Sequence, residues 1–296
     1  MRGTLLALAL VAGTATLPTG AQTPGAQEGV AVGPQYDSTH VYVAAADVDA
    51  FARCFLATFG GKSSKQTLVT VTPTPSKTTS QLLQTPVGIV SLFGFTTPIP
   101  FGFGEERNGY LVRDLDTALT EARKAGADVI VAPFPDAIGR DAIVQWPGGV
   151  DLQLYWHTTP PSYPALVHVP ENRVYVSPER LAAFVQAFVA FSHGKVVDDR
   201  RDAAGEEIGL PGKLIHRVRI ESGFGKMVVF ATDGHLVYPY GRETTGFEVD
   251  DLDAALTRAA AAGGTVLVAP FAVAGRRSSM VLFPGEYVAE IHAPKS

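Results

Sequence analysis

The chain repeats itself. At an offset of 137 residues, and without a gap, Gly104–Phe134 aligns with Gly241–Phe271, and 18 of the 31 pairs are identical. Val112, Asp114, Leu115 and Asp116 fall on Val249, Asp251, Leu252 and Asp253, and Val131–Phe134 falls on Val268–Phe271. Trp146-Pro147-Gly148 then meets Phe283-Pro284-Gly285. A repeat of this length constrains the fold more than composition does, because each copy must bury the same apolar face in the same way. At 296 residues the chain is about twice the size of an ordinary domain, so two copies of one design account for its length.

Each copy has a finer rhythm. His40-Val41-Tyr42-Val43 alternates like a strand. Asp47 then opens a helix whose Val48, Phe51, Phe55 and Phe59 share one face, and Gly60-Gly61 closes it. β-rich runs follow at 66–72, 81–84 and 87–95. The same order returns with a strand at Gly109–Val112, a helix over Asp114–Ala125 and strands near 128–132, 142–146 and 151–156. In the second half, Arg173–Val176 reads as a strand. Ser177-Pro178-Glu179 reads as a helix start, with an N-cap serine, proline at the first helical position and an acid at the positive dipole end. Leu181, Phe184, Val185 and Phe188 line that helix up to Gly194, and Asp251–Ala262 is the fourth helix. The fold class is therefore α+β: four βαβββ modules paired into two domains with curved, cup-forming mixed sheets.

The expected boundaries are 38–157 and 172–296 for the two domains. The joint at 158–171 is stiffened by Pro160, Pro161, Pro164 and Pro170. Thr4–Ala15 is apolar but shorter than the roughly 20 residues of a membrane span, so residues 1–21 read as a signal peptide and 22–37 as a flexible leader. Export to a periplasmic or extracellular location is expected, with no membrane span in the mature form. Asp plus Glu is 29 against 24 for Lys plus Arg, which argues against nucleic acid as a partner. The single cysteine, Cys54, excludes an internal disulfide, and its place between Phe51 and Phe55 predicts a buried, inert thiol. No phosphate-cradling glycine loop, serine nucleophile elbow or helical His pair for zinc is present.

Four βαβββ modules, with His40 before Asp47-Val48-Asp49 and the Val112–Asp116 and Val249–Asp253 segments, resemble the vicinal oxygen chelate superfamily. That superfamily includes glyoxalase I, type I extradiol dioxygenases and bleomycin-resistance proteins. The Val-Ala-Pro-Phe segments and the Pro-Gly turns add to the likeness. The resemblance implies a glyoxalase/dioxygenase-like fold and, in the metal-using members, a divalent ion held by His and Glu on the first and last strands of each module. Carried over residue by residue, those positions are His40, Ser91 or Val90, Arg107 and Gln153 in the first half. In the second half they are Arg173, Val228, Thr244 and Glu290. Neither half supplies the three ligands such a metal needs, and a guanidinium cannot coordinate one. No cofactor is expected on this basis, and His40, Gln153 and Glu290 are only weak candidate ligands. A divalent metal would have to recruit others, such as His216, His235 or His292.

The site expectations follow. In the first cup His40, Arg107, Gln153 and Tyr155 form the candidate ligand-binding set, with two donors suited to a carboxylate and rings suited to an aromatic body. Tyr42, Tyr110 and Trp156 either line that pocket or fill core. In the second cup Arg173 and Glu290 are expected as a structural ion pair filling a vestigial site. His216, Arg217 and Arg219, and separately His235, Tyr238, Tyr240 and Arg242, are read as solvated faces. The charged stretch 198–207 and Gly209–Gly212 are read as a mobile connection. The functional expectation is a small anionic or aromatic ligand in the first cup. The competing classes are a metal-dependent lyase, isomerase or dioxygenase with rearranged ligands, and a non-catalytic interaction module.

Overall fold

The computed structural model describes residues 29–295. The signal segment and residues 22–28 of the expected leader lie outside the described residues. The first module runs β1 (Asp37–Ala44), α1 (Val48–Phe59), β2 (Lys62–Ser63), β3 (Thr67–Val69), β4 (Thr78–Thr85) and β5 (Gly88–Phe95). The second runs β6 (Asn108–Leu111), α2 (Leu115–Lys124), β7 (Asp128–Pro135), β8 (Gly139–Trp146) and β9 (Val150–His157). The third is β10 (Glu171–Val176), α3 (Pro178–Ser192), β11 (Lys195–Ala204), β12 (Leu214–Ser222) and β13 (Gly225–Ala231). The fourth is β14 (Thr244–Glu248), α4 (Leu252–Ala261), β15 (Thr265–Val273), β16 (Arg276–Phe283) and β17 (Tyr287–Pro294).

Modules pair through their first strands. β1 lies antiparallel to β6, and β10 antiparallel to β14. The first sheet runs β2-β4-β5-β1-β6-β9-β8-β7, with β3 also on β4, and the second runs β11-β12-β13-β10-β14-β17-β16-β15. The four helices lie between the two sheets. One core joins α2 and α3 through Leu119, Phe184 and Phe188, with Leu154 of the first sheet and Val229 of the second. The other joins α1 and α4 through Phe51, Phe55 and Leu252, again with strands of both sheets. The side chains opposite these cores face into the two cups. Local chemistry sets the helix ends: Asp114 Oδ1 accepts from Thr117 N at 2.7 Å, and its repeat partner Asp251 accepts from Ala254 N at 2.9 Å. Ser177 sits at the N-cap of α3 as expected, but its hydroxyl makes no capping bond. Among the described residues no helix is long and apolar enough to cross a membrane.

Two segments differ from the reading above. Residues 29–36 are not a flexible leader. Val30 and Ala31 are buried in the α2–α3 core, and Val32 N donates to Leu111 O at 3.1 Å, which carries the pairing on β6 beyond β1. The stretch 198–207 is not a mobile loop. Most of it is the edge strand β11, paired along β12, and it is followed by a 3-10 turn at Gly205–Ile208 that buries Glu207. Clustered Asp and Arg at 198–202 of an edge strand read as a loop because the same charges that solvate a loop also protect an open edge from pairing. The joint has no regular structure over 158–170, Glu171 already belonging to β10, and it is tied to the β4–β5 turn through Val167 N to Pro86 O at 2.7 Å.

Candidate functional site

The first cup contains a cavity of about 210 Å³. Its walls include His40 and Tyr42 of β1, Ser91 and Phe93 of β5, Asp141 of β8, Gln153, Tyr155 and His157 of β9, and Tyr163 of the joint. Period-two geometry explains the selection. Tyr42 lies two residues from His40, and Tyr155 and His157 follow Gln153 by two and four, so each set shares a face. The alternate residues Tyr110 and Leu154 point the other way into the helical core, and Trp156 packs against that core.

His40 is buried and sits over Gly109, where an added Cβ would lie 2.4 Å from its Nε2. Its Nδ1 is 3.5 Å from Oε1 of fully buried Glu106, and Tyr42 donates its hydroxyl to the same carboxylate. Burial, then the charge of Glu106, pushes the Tyr42 phenol well above its ordinary value, so it stays a donor. Asp141 is also buried. Burial, with Asp136 adding to it, pushes this carboxyl well above its usual range, and a hydrogen bond from Gln153 opposes the shift only in part. Burial holds the His157 imidazole below its ordinary value. Tyr155 donates its hydroxyl to the Tyr36 carbonyl, and the Tyr36 and Tyr163 rings pack tilted, 5.3 Å apart.

Of the residues expected to bind ligand, His40, Gln153 and Tyr155 come together on this cavity. Arg107 does not line it. It lies one position past Glu106, just before β6, and its charge acts on Tyr42 of the first cup as well as on Glu243 and Tyr287 of the second half. The carboxylate that enters the cup here is Glu106. Its signal was present in the repeat, because Glu106 and Glu243 are an identical pair. No Lys or Arg stands in the cavity wall, so the anionic ligand expected for this cup has no cationic partner there.

The second cup is packed differently. Val228, Phe230, Met280 and Tyr240 fill its middle, with the Arg173 guanidinium 4.9 Å above the Phe230 ring. Arg173 Nη1 lies 4.0 Å from Oε1 of Glu290 and 4.0 Å from Oε2 of Glu171. The closer partners of these acids are others. Arg276 Nη1 is 2.7 Å from Glu171, Ser278 donates its hydroxyl to Glu290, and His292 Nδ1 is 2.7 Å from Glu290 Oε2. Glu171, Gly246 and Glu290 are in register across β10, β14 and β17, and an added Cβ on Gly246 would lie 2.6 Å from Glu290. Burial alone would push Glu171 and Glu290 up. Arg276, His292 and Arg173 overcome it and hold both carboxyls below the usual range. Burial would push His292 down, but Glu290 and Glu248 raise it.

The expected solvated faces divide. His235 is exposed beside Asp233, while Tyr240 is buried in the second cup. His216 pairs with Asp199 at 2.6 Å. Arg217 is buried instead, bonded to Glu207 and, at 2.6 Å, to Asp198. It is inside because the edge strand and the 3-10 turn supply carboxylates to meet it. Cys54 is buried against Ala259, and burial raises its thiol.

Glu171, Glu290 and His292 bring one ligand atom each within 4.8 Å of one another, the one such group among the described residues. Sequence reasoning missed Glu171 because the register carried over from the family pointed to Arg173, two residues on. These donors do not fit a divalent ion as they stand. Both nitrogens of His292 face carboxylates, with Nε2 3.8 Å from Glu248, and Arg276 and Arg173 already neutralise the acids. A dication would have to expel a proton and a guanidinium.

No family model matches the sequence, and a search of curated proteins finds no match. Solved structures do match. A triple mutant of 4-hydroxymandelate synthase from Streptomyces coelicolor superposes with a TM-score of 0.60 at 14% identity, over 89% of this chain and 93% of that one. The Mn(II)-bound glyoxalase from Novosphingobium aromaticivorans gives 0.53 at 15%, over 88% and 82%. The 2,2',3-trihydroxybiphenyl 1,2-dioxygenase from Sphingomonas wittichii gives 0.53 at 13%, over 88% and 90%. The chain has the fold of the vicinal oxygen chelate superfamily, with four βαβββ modules forming two curled sheets.

Proposed function

We propose that the first cup binds a small, uncharged aromatic molecule bearing a hydroxyl or similar group, and does so without a divalent metal. One observation carries this reading: the cavity walls combine the Tyr42, Phe93, Tyr155 and Tyr163 rings with the polar groups of Asp141, Gln153 and His40, and include no Lys or Arg. Rings supply area, and a few placed polar groups fix orientation. Burial favours the proton on the Asp141 carboxyl, which suits it to donate to a phenolic or carbonyl oxygen, whereas Asp136 and Glu106 repel an anion. The volume, about 210 Å³, suits a single ring with short substituents. The neighbouring glyoxalase is Mn(II)-bound. That chemistry is not carried over: among the described residues, Glu106 beside His40 and Asp141 beside Gln153 do not gather three ligand atoms at one point, and the second-cup acids are taken by arginine. The export reading rests on residues 1–21 and is checked by the N-terminal mass of the secreted protein.

The test is calorimetric titration with phenol and resorcinol, with and without Mn2+. The reading predicts saturable binding that Mn2+ leaves unchanged and that Gln153→Leu weakens by roughly tenfold, the loss of one buried hydrogen bond to ligand. Binding that requires Mn2+, or that ignores Gln153→Leu, would contradict it.

A further inference from the structure

A second cavity, of about 310 Å³, opens at one end of the second cup. Arg219, Arg276, Lys226 and His292 stand in its wall beside apolar Val197, Ile220, Met227 and Pro294. Arg219 projects from β12 opposite Val228, and Arg276 begins β16, so the curved sheet brings two guanidinium groups to one mouth. Their hydrogen bonding is incomplete. Nε and Nη2 of Arg219 and Nε of Arg276 are buried without a hydrogen-bond partner, and the Arg276 side chain is only 8% exposed. Behind them, Nε and Nη1 of Arg173 and Nε of Arg217 are also unmet. Against these six donors, the one buried carboxylate oxygen left without a hydrogen bond in this cup, among the described residues, is Oε2 of Glu207. Buried guanidinium donors with no acceptor are costly, so a cup built with this surplus is completed by an acceptor from outside.

We propose that this cavity is a second ligand site, taking a small organic monocarboxylate whose head accepts from Arg219 and Arg276 and whose body rests on Val197 and Pro294. The guanidinium fork matches a carboxylate. Glu171, Glu221 and Glu248 in the same wall oppose a dianion, which selects a monocarboxylate over phosphate. The two cups thereby divide the labour: the first takes an uncharged ring, and the second takes an acid.

The probes are benzoate, its neutral isostere benzamide, and inorganic phosphate, titrated calorimetrically into the whole protein. Benzoate is expected to bind, benzamide and phosphate to bind at least roughly tenfold more weakly, and Arg219→Gln to weaken benzoate by a similar factor. The isostere comparison uses the unaltered protein, so it stands even if the variant misfolds. Protein saturated with phenol is expected to take up benzoate with unchanged affinity. Absence of benzoate binding, equal binding of benzamide or phosphate, indifference to Arg219→Gln in a folded variant, or competition between phenol and benzoate would each overturn the proposal.

Discussion

At the scale of single residues, corresponding positions of the two cups carry exchanged chemistry. Gln153 and Asp141 of the first cup fall on Glu290 and Ser278 of the second, so an amide beside an acid in one becomes an acid beside a hydroxyl in the other. The two acids titrate in opposite senses. Asp141 is held up, so the folded chain keeps this proton after the unfolded chain has released it near pH 3.9. Its contribution is harmless below that pH, and stability falls as pH rises through the window up to the folded value. Asp141→Asn removes this loss and is predicted to stabilise the protein at pH 7 by about 1 kcal/mol or more. Urea unfolding at pH 4 and pH 7 checks it, and the absence of any gain at pH 7 would contradict the assignment. His40, Gln153, Tyr155, Arg173 and Glu290 were legible because period two and the family register place them. Glu106 and Glu171 were not. One or two residues of slip at a strand start exchange a carboxylate for a guanidinium, and apolar pattern does not fix that slip on so short a strand.

At the scale of elements, the helices were the most legible part, because Phe51, Phe55 and Phe59 mark a face and Asp114 and Asp251 mark ends. The second aspartates of the repeated Asp-Leu-Asp have a different role. Asp116 pairs with Arg140 at 2.9 Å and Asp253 with Arg277 at 2.8 Å, each tying a helix to the following hairpin. The sequence did not disclose what each helix packs on. Phe55 of α1 meets Phe247 at 5.4 Å and Phe283 at 5.4 Å, both from the second half. Phe55→Ala is therefore predicted to destabilise the whole protein by about 3–5 kcal/mol, with one unfolding transition retained. Chemical denaturation followed by fluorescence and by circular dichroism measures this. Separate transitions for the two halves would refute the shared core.

At the scale of the molecule, the repeat foretold two cups but not their fusion. Both cores draw on both halves, so neither sheet has a closed core of its own. Residues 29–165 alone are predicted to lack a cooperative unfolding transition, and a well-dispersed amide spectrum from that fragment would show otherwise. Fusion also explains the low share of charge, 18%, since each sheet has one face buried against helices and another turned into a cup. The central claim is that this fold operates here with arginine, amide and buried acid in place of a metal centre. Elemental analysis of the purified protein after incubation with Mn2+, Fe2+ and Zn2+ and desalting tests it most directly. Metal far below one ion per chain, unchanged in Glu290→Ala, is the predicted result. One retained ion per chain, lost in Glu290→Ala, would contradict it.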